Sequence, residues 1–170
     1  MLRWWCNILK NNIKVREQIW QCVSEISDSQ LNKVVEEGQW SIAQVLEHLY
    51  LIEKLAVEGI QEALASSEAN PVKLRRIHLA ADRSHKVQAP EMLRPSAEYQ
   101  TLKQLKNKLD NSRETLLKCI EGVSVETLDE KSMPHPVYGA LSLSQWISFI
   151  GYHEQRHLGQ IEDIKELLVL

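Results

Sequence analysis

Apolar residues recur at spacings of three and four in four separate stretches of this 170-residue chain, and no stretch alternates strictly between apolar and polar. At 3.6 residues per turn such rows fall on one face of a helix, whereas a half-buried strand needs a period of two. The sequence therefore predicts long amphipathic helices and no strands. The first stretch carries Trp5, Ile8, Asn12, Val15, Ile19, Cys22 and Ile26 and runs out near Ser27-Asp28-Ser29. The second opens at Trp40-Ser41-Ile42-Ala43-Gln44-Val45, where Ser41 caps the first turn, Gln44 reaches back to it, and Trp40 and Val45 staple the entry. Its inward row is Val45, His48, Leu49, Ile52, Leu55, Ala56 and Gly59, ending around Ser66-Ser67.

Residues 67–95 read as a long crossover, with a short helix over Val72 to Ala81 and then a loop bounded by Pro90 and Pro95. Ser96 is placed to cap a third helix with the row Leu102, Leu105, Leu109, Leu116 and Ile120, and Gly122 is placed to end it. The lysines at 103, 106, 108 and 118 make its solvated face. After a Pro-rich loop, Leu141-Ser142-Leu143-Ser144-Gln145-Trp146 repeats the capping grammar of the second helix. The fourth row is Trp146, Ile150, His153, His157, Ile161, Ile164 and Leu168. The expected fold is all-α, one four-helix-bundle domain over residues 1–170.

Composition narrows the function. The longest uncharged stretch, residues 132–152, is broken by Pro134, Pro136 and Gly139, so it cannot cross a bilayer as one helix. The amino end reaches Lys10 after too short an apolar run for a secretory signal, which points to the cytoplasm. A net charge of −3 lacks the basic excess of a nucleic-acid binder, and the local patch Lys73, Arg75, Arg76 has no aromatic for base stacking. Cys6, Cys22 and Cys119 are widely spaced without any C-x-x-C, which argues against disulfides and a thiolate zinc site.

The chemistry concentrates in histidine. His153 and His157 sit four apart on one helix face, a spacing suited to zinc, nickel or iron, although six histidines produce some such pair by composition about once in six chains. His48 on the inward row of another helix strengthens the case. A polar ring left unpaired in an apolar core costs on the order of 1 to 3 kcal/mol, so three inward imidazoles call for separate hydrogen bonds or for a shared ion. Their joint pattern favours the ion. His153-Glu154-Gln155-Arg156-His157 also reads as the H-E-x-x-H of zinc proteases, but the metzincin continuation would need a glycine and a histidine where this chain has Gln160 and Asp163. A di-iron bundle needs two Glu-x-x-His motifs, and only Glu154 to His157 supplies one.

The segment Trp40 to Leu49, with Gly139-Ala140-Leu141-Ser142, Trp146, His153 to His157 and Gln160-Ile161, resembles the two signatures of the DinB-like superfamily, the metal-dependent hydrolases of the DinB and YfiT type. The resemblance implies an up-down-down-up four-helix bundle, commonly a homodimer. It implies a histidine-only site for one divalent metal ion per chain, nickel or zinc, with ligands His48, His153 and His157. Some relatives are S-transferases of low-molecular-weight thiols. Hydrolysis and thiol transfer on a small-molecule substrate are therefore both expected, beside a non-catalytic metal-binding or stress-response bundle and a purely structural one. Glu154, beside the histidine row, is the candidate catalytic base, with a salt bridge to a neighbouring helix as its alternative. Gln44 and Gln160 are candidates to orient a ligand, and His135, between two prolines, to line the mouth. Arg156 is a candidate partner for an anionic substrate or a glutamate. His78 and His85 read as surface residues.

Overall fold

The computed structural model describes residues 2–168, with side chains from Ile8 onward. Helix α1 spans Leu2–Val23, a short α2 follows at Asp28–Leu31, and α3 spans Ile42–Ala65. Two 3-10 turns, Ile77–Ala81 and Glu91–Leu93, punctuate the crossover to α4 at Leu102–Ile120. A short α5 at Val125–Glu130 and strands β1 (Ser132–His135) and β2 (Gly139–Ser142) lead into α6, Leu143–Leu167. The four long helices carry the expected rows: Val15, Ile19, Val45, Ile52, Leu105, Leu109, Trp146 and Ile161 are all buried. Each such aliphatic side chain, once buried, contributes about 1.5 to 3 kcal/mol. Trp5 of the first row, and Cys6 among the cysteines, lie outside the described side chains.

Cross-helix contacts fix the directions. Asn12 Nδ2 donates to the carbonyl of Ile147 and Arg16 pairs with Glu154, so α1 and α6 run parallel. Lys108 pairs with Glu47 and Ser112 bonds Glu53, so α3 and α4 run parallel to each other. Ile42 and Leu46 share one apolar cluster with Ile161 and Ile164, while Ile60 shares another with Leu143 and Trp146, so α3 opposes α6. The bundle is up-down-down-up, with the long crossover joining the two parallel inner helices.

Caps decide where helices begin. Ser41 Oγ accepts from the Gln44 amide, and Gln44 Oε1 accepts the Ser41 amide, completing a capping box. Ser142 caps α6 as expected, but the side chain of Gln145 is drawn to the carbonyl of Arg75 instead of closing a box. Several expectations need correction. Helix α1 stops at Val23 and a new cap at Ser27 starts α2. The Val72 to Ala81 helix shrinks to the 3-10 turn, since Pro71 precedes it and no capping side chain is at hand. The cap of α4 is Thr101, because Ser96 turns its amide and hydroxyl to Glu47. Gly122 does follow the end of α4, in the left-handed region at φ 74° that a side chain would strain.

The antiparallel β1–β2 hairpin was not expected, since four-residue strands containing Pro134 are too short to register as alternation. Tertiary bonds hold it: the Ser132 amide donates to Asn70 Oδ1 at 2.7 Å, and Trp146 Nε1 donates to the Met133 carbonyl. This hairpin sets the entry to α6 and thereby the rotation of its histidines.

Candidate metal centre

His48 stands in the second turn of α3, and His153 and His157 stand one turn apart on α6, where that helix opposes α3. The Nε2 of His153 lies 3.3 Å from Nε2 of His48 and 3.2 Å from Nε2 of His157. One ligand atom from each of the three rings falls within 4.8 Å of the others, with His48 and His157 buried and His153 partly exposed. The far sides of two rings explain the arrangement. Nδ1 of His48 lies 2.7 Å from the carbonyl oxygen of Leu93, and a carbonyl only accepts, so the proton of the neutral ring is on Nδ1. Nδ1 of His157 likewise donates to Gln160 Oε1 at 2.8 Å. Both rings therefore turn a bare lone pair on Nε2 toward His153. A proton on His153 Nε2 can satisfy one of them, leaving the other lone pair facing the cluster without a donor.

That donor set fits a divalent cation: three neutral nitrogens converge, and two are already held in the metal-binding tautomer. Electrostatics agree. Burial pushes His157 down to about 3, with the nearby His48 adding to the shift and Gln160 opposing it. Desolvation, then His157 and His48, hold His153 well below the ordinary imidazole range. Burial lowers His48 too, against the pull of the Leu93 carbonyl. The cluster is neutral where free histidine begins to protonate, and a neutral imidazole is the form that ligates.

The remaining candidates separate cleanly. Glu154 is buried and its Oε1 accepts from Arg16 and Arg113, while Arg16 and Arg113 also hold Glu53. The four charges form one network between α1, α3, α4 and α6. Among the described residues no hydrogen bond joins Glu154 to the three imidazoles, and the ion-pair alternative describes its place. Gln160 orients His157, whereas Gln44 is a cap whose Nε2 also donates to the carbonyl of Ser96. Arg156 donates to the backbone carbonyls of Asp82 and His85, pinning the crossover to α6. His78 and His85 are exposed. The Leu93 carbonyl was missed by sequence reasoning, because a backbone oxygen brought in by a crossover leaves no residue-type signal.

A model of the DinB superfamily matches residues 13–161, a span that contains all three histidines. The chain belongs to the DinB superfamily. It is 35% identical over 153 residues to the "Uncharacterized protein YuaE" of Bacillus subtilis (strain 168), covering 90% of this chain and 94% of that protein. Two solved structures share its fold. One is TT2238, described as a four-helix bundle protein, with TM-score 0.63 at 21% identity, covering 94% of this chain and 98% of that one. The other is YfiT from Bacillus subtilis, described as a "probable metal-dependent hydrolase with an unusual four-helix bundle topology", with TM-score 0.61 at 15% identity, covering 94% and 85%. None of the described helices in this DinB-superfamily chain is long and apolar enough to cross a membrane.

Proposed function

We propose that this DinB-superfamily protein is a metal-dependent enzyme, a hydrolase or thiol S-transferase, acting on a small molecule at one divalent ion, nickel or zinc, held by His48, His153 and His157. The observation that carries the reading is the pair of Nδ1 bonds, His48 to Leu93 and His157 to Gln160, which aim two unprotonated Nε2 atoms at the third ring. A divalent ion on three neutral imidazoles supplies a Lewis acid with open positions, able to lower bound water to about pKa 7 or to hold a thiol as thiolate. The chain's own residues supply the rest. The Leu93 carbonyl and Gln160 fix the ring orientations, and Arg156 ties the crossover to α6. YfiT, described as a "probable metal-dependent hydrolase" on the same fold, supports the reaction class.

The engagement of Glu154 by two guanidiniums favours a second reading, a non-catalytic metal-binding bundle, because it removes the nearest carboxylate from proton transfer. Elemental analysis of untagged protein beside His48→Ala tests the site: stoichiometric metal in the parent and trace metal in the variant are expected. Equal metal in both refutes it. Turnover of activated esters, amides or thiol-acceptor pairs by the loaded protein then separates enzyme from binder.

A further inference from the structure

The three imidazoles of the candidate centre are not held alike. His48 and His157 each have Nδ1 fixed on an oxygen, the Leu93 carbonyl at 2.7 Å and Gln160 Oε1 at 2.8 Å. Nδ1 of His153 is sealed from solvent and has no hydrogen-bond partner among the described residues. Two groups that could have served it are committed elsewhere. The His153 ring lies 5.4 Å from that of Phe149 between centroids, and Phe149 lies 4.4 Å from His135. Nδ1 of His135 accepts the backbone N–H of Val137 at 3.1 Å and of Tyr138 at 3.2 Å, so its neutral ring carries the proton on Nε2 and has no lone pair to offer. Glu154 accepts from Arg16 and Arg113 instead.

The other side of the His153 ring fixes its proton. Nε2 lies 3.3 Å from Nε2 of His48 and 3.2 Å from Nε2 of His157, and both of those atoms present lone pairs. A third lone pair at such distances is repelled, whereas an N–H donates to one of the two. The metal-free ring therefore carries its proton on Nε2. To ligate through that atom it must release the proton to solvent and take another at Nδ1, remaining neutral. Because Nδ1 is sealed, the ring has to turn outward to do so. The relocated N–H then meets no acceptor, and a ligating imidazole without one is the weaker base toward a metal. His48 and His157 need no such change, since their protons already sit on Nδ1 against an oxygen.

We infer that His153 is the loosely held arm of the centre: an ion is captured by His48 and His157, and His153 closes on it afterwards by changing tautomer. His153 thereby governs how long the ion stays rather than how fast it arrives. The inference rests on the metal-centre reading above.

The test uses the full chain carrying nitrogen-15 histidine, metal-free and zinc-loaded. Correlation spectra should show Nδ1–H at His48 and His157 in both forms, with His153 passing from Nε2–H to Nδ1–H on loading. In a chelator titration His153→Ala should lose about 10- to 100-fold less affinity than His48→Ala or His157→Ala, because its ring lacks the far-side partner worth that much to the other two. Cobalt uptake, followed by its absorption, should be as fast in His153→Ala as in the parent, the loss appearing in release. The parent spectra decide the point even where a variant fails to fold. An Nδ1–H tautomer at His153 in the metal-free protein, equal losses in the three variants, or slowed uptake in His153→Ala each overturns this proposal and leaves the metal reading standing. Failure of the parent to take up zinc or cobalt overturns both.

Discussion

Nδ1 of His48 donates to the carbonyl of Leu93 across 2.7 Å, joining the candidate metal centre to a crossover 45 residues away in sequence. Leu93 supplies that oxygen from a 3-10 turn, and its own side chain, 3% exposed, anchors the turn in the core. Leu93→Ala keeps the carbonyl but frees the turn. It is expected to lose about 2 to 4 kcal/mol of stability and, through a less fixed His48, at least tenfold in metal affinity. Denaturant midpoints and competition with a chromophoric chelator measure the two effects separately. Unchanged affinity in a destabilised protein would show that the carbonyl does not orient the ring.

Gln160 holds His157 through a side chain, so it can be changed without touching the backbone. Gln160→Ala should weaken metal binding about 10- to 100-fold with little effect on folding, since Gln160 is partly exposed. Gln160→Glu, which keeps an acceptor facing Nδ1, should bind at least as tightly as the parent. A chelator titration that ranks Ala equal to Glu contradicts the orienting role.

Glu154 adjoins His153 in sequence, yet its carboxylate is committed to Arg16 and Arg113. Breaking a buried ion pair by neutralising one partner costs about 3 to 5 kcal/mol, because the other charge stays buried. Glu154→Gln should therefore unfold at lower denaturant by an amount near the lower end of that range, since the amide still accepts from a guanidinium. Metal content per folded chain should not change. If the variant is as stable as the parent while any hydrolytic activity loses the rising, acid-side limb of its pH profile, Glu154 is a base after all.

These outcomes show how far the residue pattern reaches. The four helices were legible because their rows are long and most inward positions, Ile19 and Ile161 among them, are buried as the periodicity requires. The site was legible for a related reason: His153 and His157 share a face by spacing alone, and the Ser41–Gln44 capping box fixes the start of the helix that carries His48. What escaped depends on partners distant in sequence. Arg16 and Glu154 are separated by 138 residues, and nothing in either segment announces the other. The hairpin rests on Asn70 bonding Ser132, and Ser96 failed as a cap because Glu47 competes for its hydroxyl. Local signals were read correctly where no tertiary acceptor outbid them.

The metal-free protein should lose stability as pH falls, and the direction follows from the imidazoles. His157 and His135 titrate at about 3 and about 4 in the folded chain, below the ~6.5 of an unfolded histidine. Between those values the unfolded chain binds more protons, so the stability due to these groups is complete above about pH 6.5 and declines toward pH 3. At pH 5 each contributes a loss on the order of 2 kcal/mol. Chelator-treated protein unfolded in denaturant at pH 7.5 and pH 5 should show this decline, reduced in His135→Gln. Bound metal should flatten the upper part of the curve, since protons must displace it first. A metal-free stability that is level from pH 7.5 to 5 would mean the rings are not desolvated.

Gly151 lies in the interior of α6, where replacing glycine by alanine ordinarily stabilises a helix by about 1 kcal/mol. Here the space decides the sign. A Cβ on Gly151 would meet Asn12 Oδ1 and Asn11 Nδ2 of α1, and Asn12 is wholly buried with its amide committed to the Ile147 carbonyl. Relieving the overlap means moving Asn12 off that bond or pushing α1 away from α6, and an overpacked or unpaired buried group costs about 1 to 3 kcal/mol. The net expectation for Gly151→Ala is a loss of about 1 to 2 kcal/mol, read from the denaturant midpoint. The companion Gly151→Ala/Asn12→Ala removes the obstructing amide and should cost less than the two single changes added together. Strict additivity would place the two residues out of contact and would undo the parallel packing of α1 on α6 that carries Arg16 to Glu154.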